Sequence, residues 1–173
     1  MKIIIDARLY GSSHTGNGRY TANLIENLTK IDNRNEYIIF LRKENYDRLV
    51  FPKNFNKVLV DIKHYSIAEQ IYLPFLISKY KPDLVHFPHF NVPILYFGKY
   101  IVTIHYLIMH KFKGGGATTK NFVAYLITRL AYHLTFIKSV FGSVKIIVPS
   151  NAVKNELISF YNIKQDKVEV IYE

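Results

Sequence analysis

Lys2–Ala7 (KIIIDA), followed by Thr15–Tyr20 (TGNGRY), is the stretch whose reading decides the fold. The first part reads as a short buried strand, apolar on both faces. After the second, Leu24, Ile25, Leu28 and Ile31 recur at helical spacing, with Asn17 available as N-cap. Strand, glycine turn, helix is a geometry that aims free backbone N–H groups and a helix N-terminus at one spot, which suits an anion and above all a phosphate. Gly16 and Gly18 carry no Cβ and let a ligand approach the backbone, and Arg19 adds a fixed positive charge. The stretch lacks the third glycine of a dinucleotide fingerprint, the acid that ribose recognition wants, and the Lys-Ser/Thr pair of a P-loop. The same glycines also read as a plain βα turn that needs positive φ.

Working outward, Glu36–Arg42 (EYIIFLR) and Lys57–Ile62 (KVLVDI) read as the second and third strands, with DNRN at 32–35 as a turn. Ser66 to Tyr80 reads as a helix, with Ser66 and Glu69 forming a capping box and Pro74 predicting a kink or break. Leu84–Phe87, Lys99–His105 and Lys145–Val148 read as the fourth, fifth and sixth strands. A long helix spans about 121–141, Ser150 caps another through Phe160, and Lys167–Tyr172 (KVEVIY) closes the set. KGGGATT at 113–119 is the one low-complexity loop. Strands alternating with helices predict an α/β, doubly wound, mainly parallel sheet in one domain over residues 1–173. Ligands of such sheets bind beyond the carboxyl ends of the strands. That rule gathers Gly16, Gly18, Arg19, the segment His86–Asn91, His105 and Ser150 at one crevice.

Composition narrows the classes. Half the residues are apolar, which excludes disorder. The absence of cysteine excludes disulfides, Cys-based zinc sites and Cys nucleophiles, and fits a reducing compartment. The N-terminus enters a strand without a cleavage site, and no apolar run is long enough to span a bilayer. The net charge is +10, and no acid occurs between Asp83 and Glu156. Lys99, Lys111, Lys113, Lys120, Arg129, Lys138, Lys145 and Lys154 fall in that interval, as do His86, His89, His105, His110 and His133. Such a block calls for an anionic partner: lipid headgroups, nucleic acid or a phosphorylated substrate.

On a helical wheel of the long helix, Val123, Leu126, Ile127, Leu130, Leu134, Ile137 and Phe141 form one apolar face. Asn121, Thr128, Tyr132, Thr135 and Ser139 lie opposite, and Arg129, His133 and Lys138 flank the apolar side. Two readings stand: the apolar face packs on the sheet, or it dips into anionic lipid with Lys111, Lys113, Arg129 and Lys138 facing the membrane. His86 and His89 have no nearby carboxylate or cysteine to complete a metal site, so no metal is expected. His105 also reads as a core histidine and Ser150 as a plain N-cap.

Several stretches in order, KIIIDARLY, TGNGRYTANLIENL, KPDLVHFPHFNVP, YIVTIHYLI, KIIVPSNAVKNEL and DKVEVIYE, resemble the amino-terminal half of family-four glycosyltransferases of the GT-B fold. The resemblance implies a Rossmann-like acceptor domain, one half of a GT-B architecture. Its counterpart, a carboxy-terminal domain that binds the nucleotide-sugar, is absent from this chain and would be supplied in the same or a separate chain. It implies hexosyl transfer with retention of anomeric configuration, no cofactor beyond the nucleotide-sugar donor, and a sugar, lipid-linked or polysaccharide acceptor of the cell envelope. Residue by residue, Gly16, Asn17, Gly18 and Arg19 match the loop near donor phosphates and acceptor. His105 matches the histidine that approaches the transferred sugar, and Ser150 matches a Ser/Thr beside the cleft. His86, His89 and Asn91 match a strand-end segment on the acceptor side. Tyr106 stands where the family commonly has Asp. The expectation is a cytoplasmic protein, peripheral at the inner face of the membrane, that does not turn over alone. The alternatives are a non-catalytic module binding anionic lipid or glycan, and a truncated relic. Nothing resembles a nucleic-acid recognition motif, so no specific nucleic acid is expected.

Overall fold

The computed structural model describes residues 1–11, 15–107 and 122–172. Seven parallel strands form one sheet: β1 (Lys2–Asp6), β2 (Glu36–Leu41), β3 (Phe55–Leu59), β4 (Leu84–Phe87), β5 (Tyr100–Thr103), β6 (Lys145–Val148) and β7 (Val168–Val170). The helices are α1 (Thr15–Ile31), α2 (Lys43–Arg48), α3 (Ile67–Tyr80), α4 (Phe122–Gly142) and α5 (Asn151–Tyr161), with a 3-10 turn at Gln165–Lys167. The strand order is β3-β2-β1-β4-β5-β6-β7. It reverses between β1 and β4, the switch point at which doubly wound sheets open a ligand crevice. The expected α/β, doubly wound, Rossmann-like fold is the one observed.

Parallel strands covered on both faces need apolar side chains on both, and β1 supplies them alternately. Ile4 packs with Ile38, Phe40, Val85, Phe87 and Val102 under α3, α4 and α5, through Leu73, Ile77, Phe136, Val140 and Leu157. Ile5 faces the other way, with Ile39, Leu41 and Phe55 under Ile25 and Leu28 of α1. Both clusters meet at the central strands, so the crevice edge rests on the best-packed part of the molecule.

Four local expectations are corrected. Asn17 is not an N-cap, because α1 already begins at Thr15 and takes Gly16, Asn17 and Gly18 into its first turns. The positive φ falls instead on Gly11, at 97°. Pro74 does not end α3, which continues to Tyr80. β3 leaves the ladder earlier than expected, after Leu59, and the chain beyond it delivers the Ile62 carbonyl to Arg8. The polar α2, with no apolar period, was not foreseen.

The largest correction concerns α4. Its wheel face Leu126, Leu130, Leu134, Ile137 and Phe141 does not pack on the sheet; all five side chains are exposed, Leu130 by 61%. The helix rests on the opposite side, through Thr135, Phe136, Ser139 and Val140. Ser139 Oγ donates to the Phe136 carbonyl, which removes the penalty for burying its hydroxyl. Thr135, Ser139 and Gly142 are small enough for the helix to approach the sheet, while Phe136 and Val140 fill the core. Lys111, Lys113 and the 113–119 segment lie outside the described residues, as do the side chains of Val123 and Ile127.

Candidate functional site

The carboxyl ends of β1, β4 and β5 bring the candidate residues together, each by a local cause. α1 starts close to β1, so the first backbone N–H groups of the helix, including those of Gly16 and Asn17, have no intrahelical acceptor. Arg19 is exposed on the same turn. Tyr20, the next residue, reaches back to the sheet. Its hydroxyl lies 3.0 Å from Thr103 Oγ1 at the end of β5, and its ring meets the His105 ring edge-on at 4.8 Å between centroids.

His105 is half-buried where the chain leaves the β5 ladder. Its Nε2 lies 3.1 Å from the Pro88 carbonyl oxygen. A carbonyl only accepts, so Nε2 carries a proton in this bond. Pro88 therefore occupies the orienting role that Tyr106 cannot take, since the Tyr106 side chain is exposed. His86 does not line an open surface. It is buried, with Nε2 2.9 Å from Thr103 Oγ1, and burial first, then the nearby His105, lowers its pKa to about 4. His89 is buried as well, with Nδ1 accepting from the Asn91 backbone N–H, and burial lowers its pKa to about 4. Ser150 acts as a cap: its Oγ accepts from the Val153 N–H at 3.3 Å and begins α5.

A buried ionic cluster holds the β1 and β4 ends in place, and sequence reading missed it. Arg8 is wholly buried. Its Nε and Nη2 donate to the two Asp6 oxygens at 2.7 Å, Nη2 also donates to Glu69 Oε1 at 2.7 Å, and Nη1 donates to the Ile62 carbonyl at 3.0 Å. The other Glu69 oxygen accepts from Asn91 Nδ2 and from the Tyr65 N–H. Glu69 is thus the capping-box acid of α3, its own N–H bonded to Ser66 Oγ, and also the brace that fixes Asn91. Burial alone would raise the Asp6 carboxyl, but the Arg8 guanidinium overrides it and holds the pKa below the ordinary value. The available signal was the DAR tripeptide, an acid and a base two apart at the end of an otherwise apolar strand.

Asp6, Leu9, Thr21, His64, Phe87, Pro88, His89 and Asn91 line a narrow cavity at this switch point. Burial, reinforced by the charge of Arg8, lowers the His64 pKa to about 3. Its Nδ1 is buried and has no hydrogen-bond partner among the described residues. The cavity is small, about 10 Å³, and Asp6 and His89 already accept from Arg8 and Asn91, which leaves His64 Nδ1 as its acceptor without a partner among the described residues. The adjoining α1 N-terminus is rich in donors, suited to an anion. Among the described residues, no group of His, Asp or Glu is arranged to hold a metal ion, and no helix is long and apolar enough to cross a membrane.

A search of curated proteins gives no match to the chain. The family model described as Glycosyltransferase Family 4 matches residues 15–173, from the first residue of α1 to the last of the chain. With that match and the Rossmann-like sheet that carries it, the chain belongs to glycosyltransferase family 4.

Proposed function

We propose that this domain is the acceptor-binding half of a retaining sugar transferase, acting with a nucleotide-sugar-binding domain supplied in the same or a separate chain. The observation that carries the reading is the meeting, through Tyr20, of the α1 N-terminus and His105 at the carboxyl ends of the strands. The N–H groups of Gly16 and Asn17, which have no intrahelical acceptor, suit the diphosphate of a leaving nucleotide together with Arg19. The small cavity lined by Asp6, His64 and His89 has room for one hydroxyl at the foot of the crevice, with His64 Nδ1 to accept from it. His105, held by Pro88, stands toward the sugar being transferred. Gly18 lies in the first turns of the same helix, and Ser150 caps a second helix N-terminus, that of α5. The donor would be a nucleotide-hexose, with no metal taking part. Its acceptor would be a lipid-linked or polysaccharide sugar of the cell envelope, met at the cytoplasmic face of the membrane. Charge balance supports the division of labour, because a departing diphosphate needs donors from both sides of a cleft and one side is built here.

The test is binding to the 173-residue chain followed by amide NMR, with a hexose phosphate and a neutral hexose as probes. The phosphate should shift Gly16 to Arg19, and both probes should shift His105 and Asn91. When the second domain is supplied, His105→Ala should lower kcat by about 100-fold or more, the scale of a lost catalytic group. Unchanged transfer by His105→Ala, or shifts confined to surface lysines, would overturn the assignment.

A further inference from the structure

α4 and α3 each turn a stripe of apolar side chains outward from the side of the sheet that α5, with Phe160 exposed, also covers. On α3, Leu73, Pro74 and Ile77 pack inward, while Ile67, Ile71, Tyr72 and Phe75 are exposed, Phe75 by 75%. Between the two helices runs the 88–99 segment. Its Ile94 N–H donates to Gln70 of α3 at 2.7 Å, its Phe90 ring packs on Tyr132 and Phe136 of α4, and its exposed Phe97 lies beneath Lys138 Nζ at 4.4 Å. Leu95 and Phe97 therefore join two apolar stripes, five residues long on α4 and four on α3, into one outer surface. Apolar exposure on this scale marks an interaction surface.

The charge around it identifies the occupant. α4 and the 88–99 segment carry no acid, and the single acid of α3, Glu69, is buried and paired with Arg8. The cations on these elements are Lys79, Lys99, Arg129 and Lys138. Burial against Phe97 lowers the Lys138 pKa, as expected of an ammonium whose stem lies along apolar surface. A second copy of the chain meeting this face symmetrically would set cations against cations with no acid to answer them. An anionic bilayer answers both features: acyl chains for the stripes, headgroups for the basic rim.

We propose that the outward face of α3, the 88–99 segment and α4 is a bilayer-docking surface for anionic phospholipid, two helices wide. It rests on the membrane part of the reading above, but its test needs no turnover and can fail independently of transferase activity. α4 lies antiparallel to the strands, so its N-terminal end is on the cleft side. A membrane-anchored acceptor lying along α4 would then reach the crevice from the bilayer.

The chain contains no tryptophan, so single reporters are clean. Leu130→Trp and Phe75→Trp, at exposed positions, and Asn27→Trp on the opposite helical layer as control, are mixed with vesicles of equimolar phosphatidylcholine and phosphatidylglycerol. The first two should shift to the blue and be quenched by acyl-chain bromines, while the control stays unchanged. In sedimentation, Leu130→Glu with Leu134→Glu, and separately Ile71→Glu with Phe75→Glu, should each lower vesicle partitioning at least tenfold. Neither pair should alter the far-UV spectrum. No binding to these vesicles, equal binding to pure phosphatidylcholine, or reporters that stay in water would each overturn the proposal. So would a loss confined to charge variants, or a dimer in solution that both pairs of glutamates dissolve.

Discussion

Arg8→Met removes the guanidinium that neutralises two buried carboxylates and leaves the packing volume nearly intact. The wild-type side chain donates to Asp6 twice, to Glu69 once and to the Ile62 carbonyl once, with no solvent contact. Breaking a buried pair from one side costs about 3–5 kcal/mol, because the abandoned charge stays desolvated. Single domains are stable by about 5–15 kcal/mol, so the variant should be marginal. At this chain length that loss corresponds to a drop in Tm of about 6–20 °C. Urea unfolding followed by far-UV circular dichroism should show the midpoint falling with the slope unchanged. Arg8→Met with Glu69→Met should lose at least about 1 kcal/mol less than the sum of the single variants, since removing both partners orphans fewer charges. The Asp6 pKa is depressed in the folded state, so its stabilisation is complete above the unfolded value near 4 and fades as pH falls toward the folded one. In Arg8→Met burial raises that carboxyl instead, so the gap from wild type should be widest at neutral pH and narrow in acid. A loss below about 1 kcal/mol, or a gap that widens in acid, would refute the reasoning.

Three further outcomes follow from local geometry. His64, His86 and His89 have folded pKa values of about 3, 4 and 4, so the unfolded chain takes up protons that the folded one refuses once pH drops below about 6.5. Each should contribute a slope of about 1.4 kcal/mol per pH unit, and urea midpoints between neutral pH and about 5 should flatten by one such increment in His86→Gln. Gly142→Ala would set a Cβ 2.3 Å from the Tyr100 hydroxyl, which is bonded to the Lys138 carbonyl; it should cost about 1–3 kcal/mol, largely recovered by adding Tyr100→Phe. Ser150→Ala should lose about 1 kcal/mol of stability with its α5 cap, whereas Ser150→Asp should restore the cap and weaken hexose phosphate binding by its charge.

The parallel, doubly wound sheet was legible because buried parallel strands leave short apolar runs and because helices between them force the crossovers. Capping chemistry was legible too. Ser66 with Glu69, and Ser150, stand where short-range hydrogen bonding alone requires them. The TGNGRY stretch reads as a turn, and the structure places it in the first turns of α1. Glycines permit positive φ without demanding it, and here they serve a helix start beside the sheet. The Arg8 cluster was hidden for a different reason. Asp6 and Arg8 stand two apart, but Glu69 and Asn91 lie far from them in sequence and join them only because β1 and β4 are neighbours, a pairing that no local pattern encodes.

α4 shows why periodicity finds a stripe but not its destination. A helical wheel ranks faces by hydrophobicity, whereas packing on a sheet also rewards closeness. Thr135, Ser139 and Gly142 let the helix settle where leucines would hold it off, and the leucine face was left outward. The same inversion relocates the basic block. Lys99 and Lys145 stand at the starts of β5 and β6, and Lys138 near the end of α4, all at the sheet edge opposite the crevice. Cations meant for a substrate phosphate belong at the crevice, where Arg19 and the α1 N-terminus stand. Under the two proposals above, Lys99 and Lys138 belong to the bilayer-docking surface and Arg19 to the cleft. The two should separate by ionic strength: vesicle binding through the outer face should weaken steeply from about 0.1 to about 0.5 M salt, as many exposed cations are screened together. Neutral hexose binding at the cavity of Asp6, His64 and His89 should hold across the same range. Joint loss of both would mean that the two surfaces are one site.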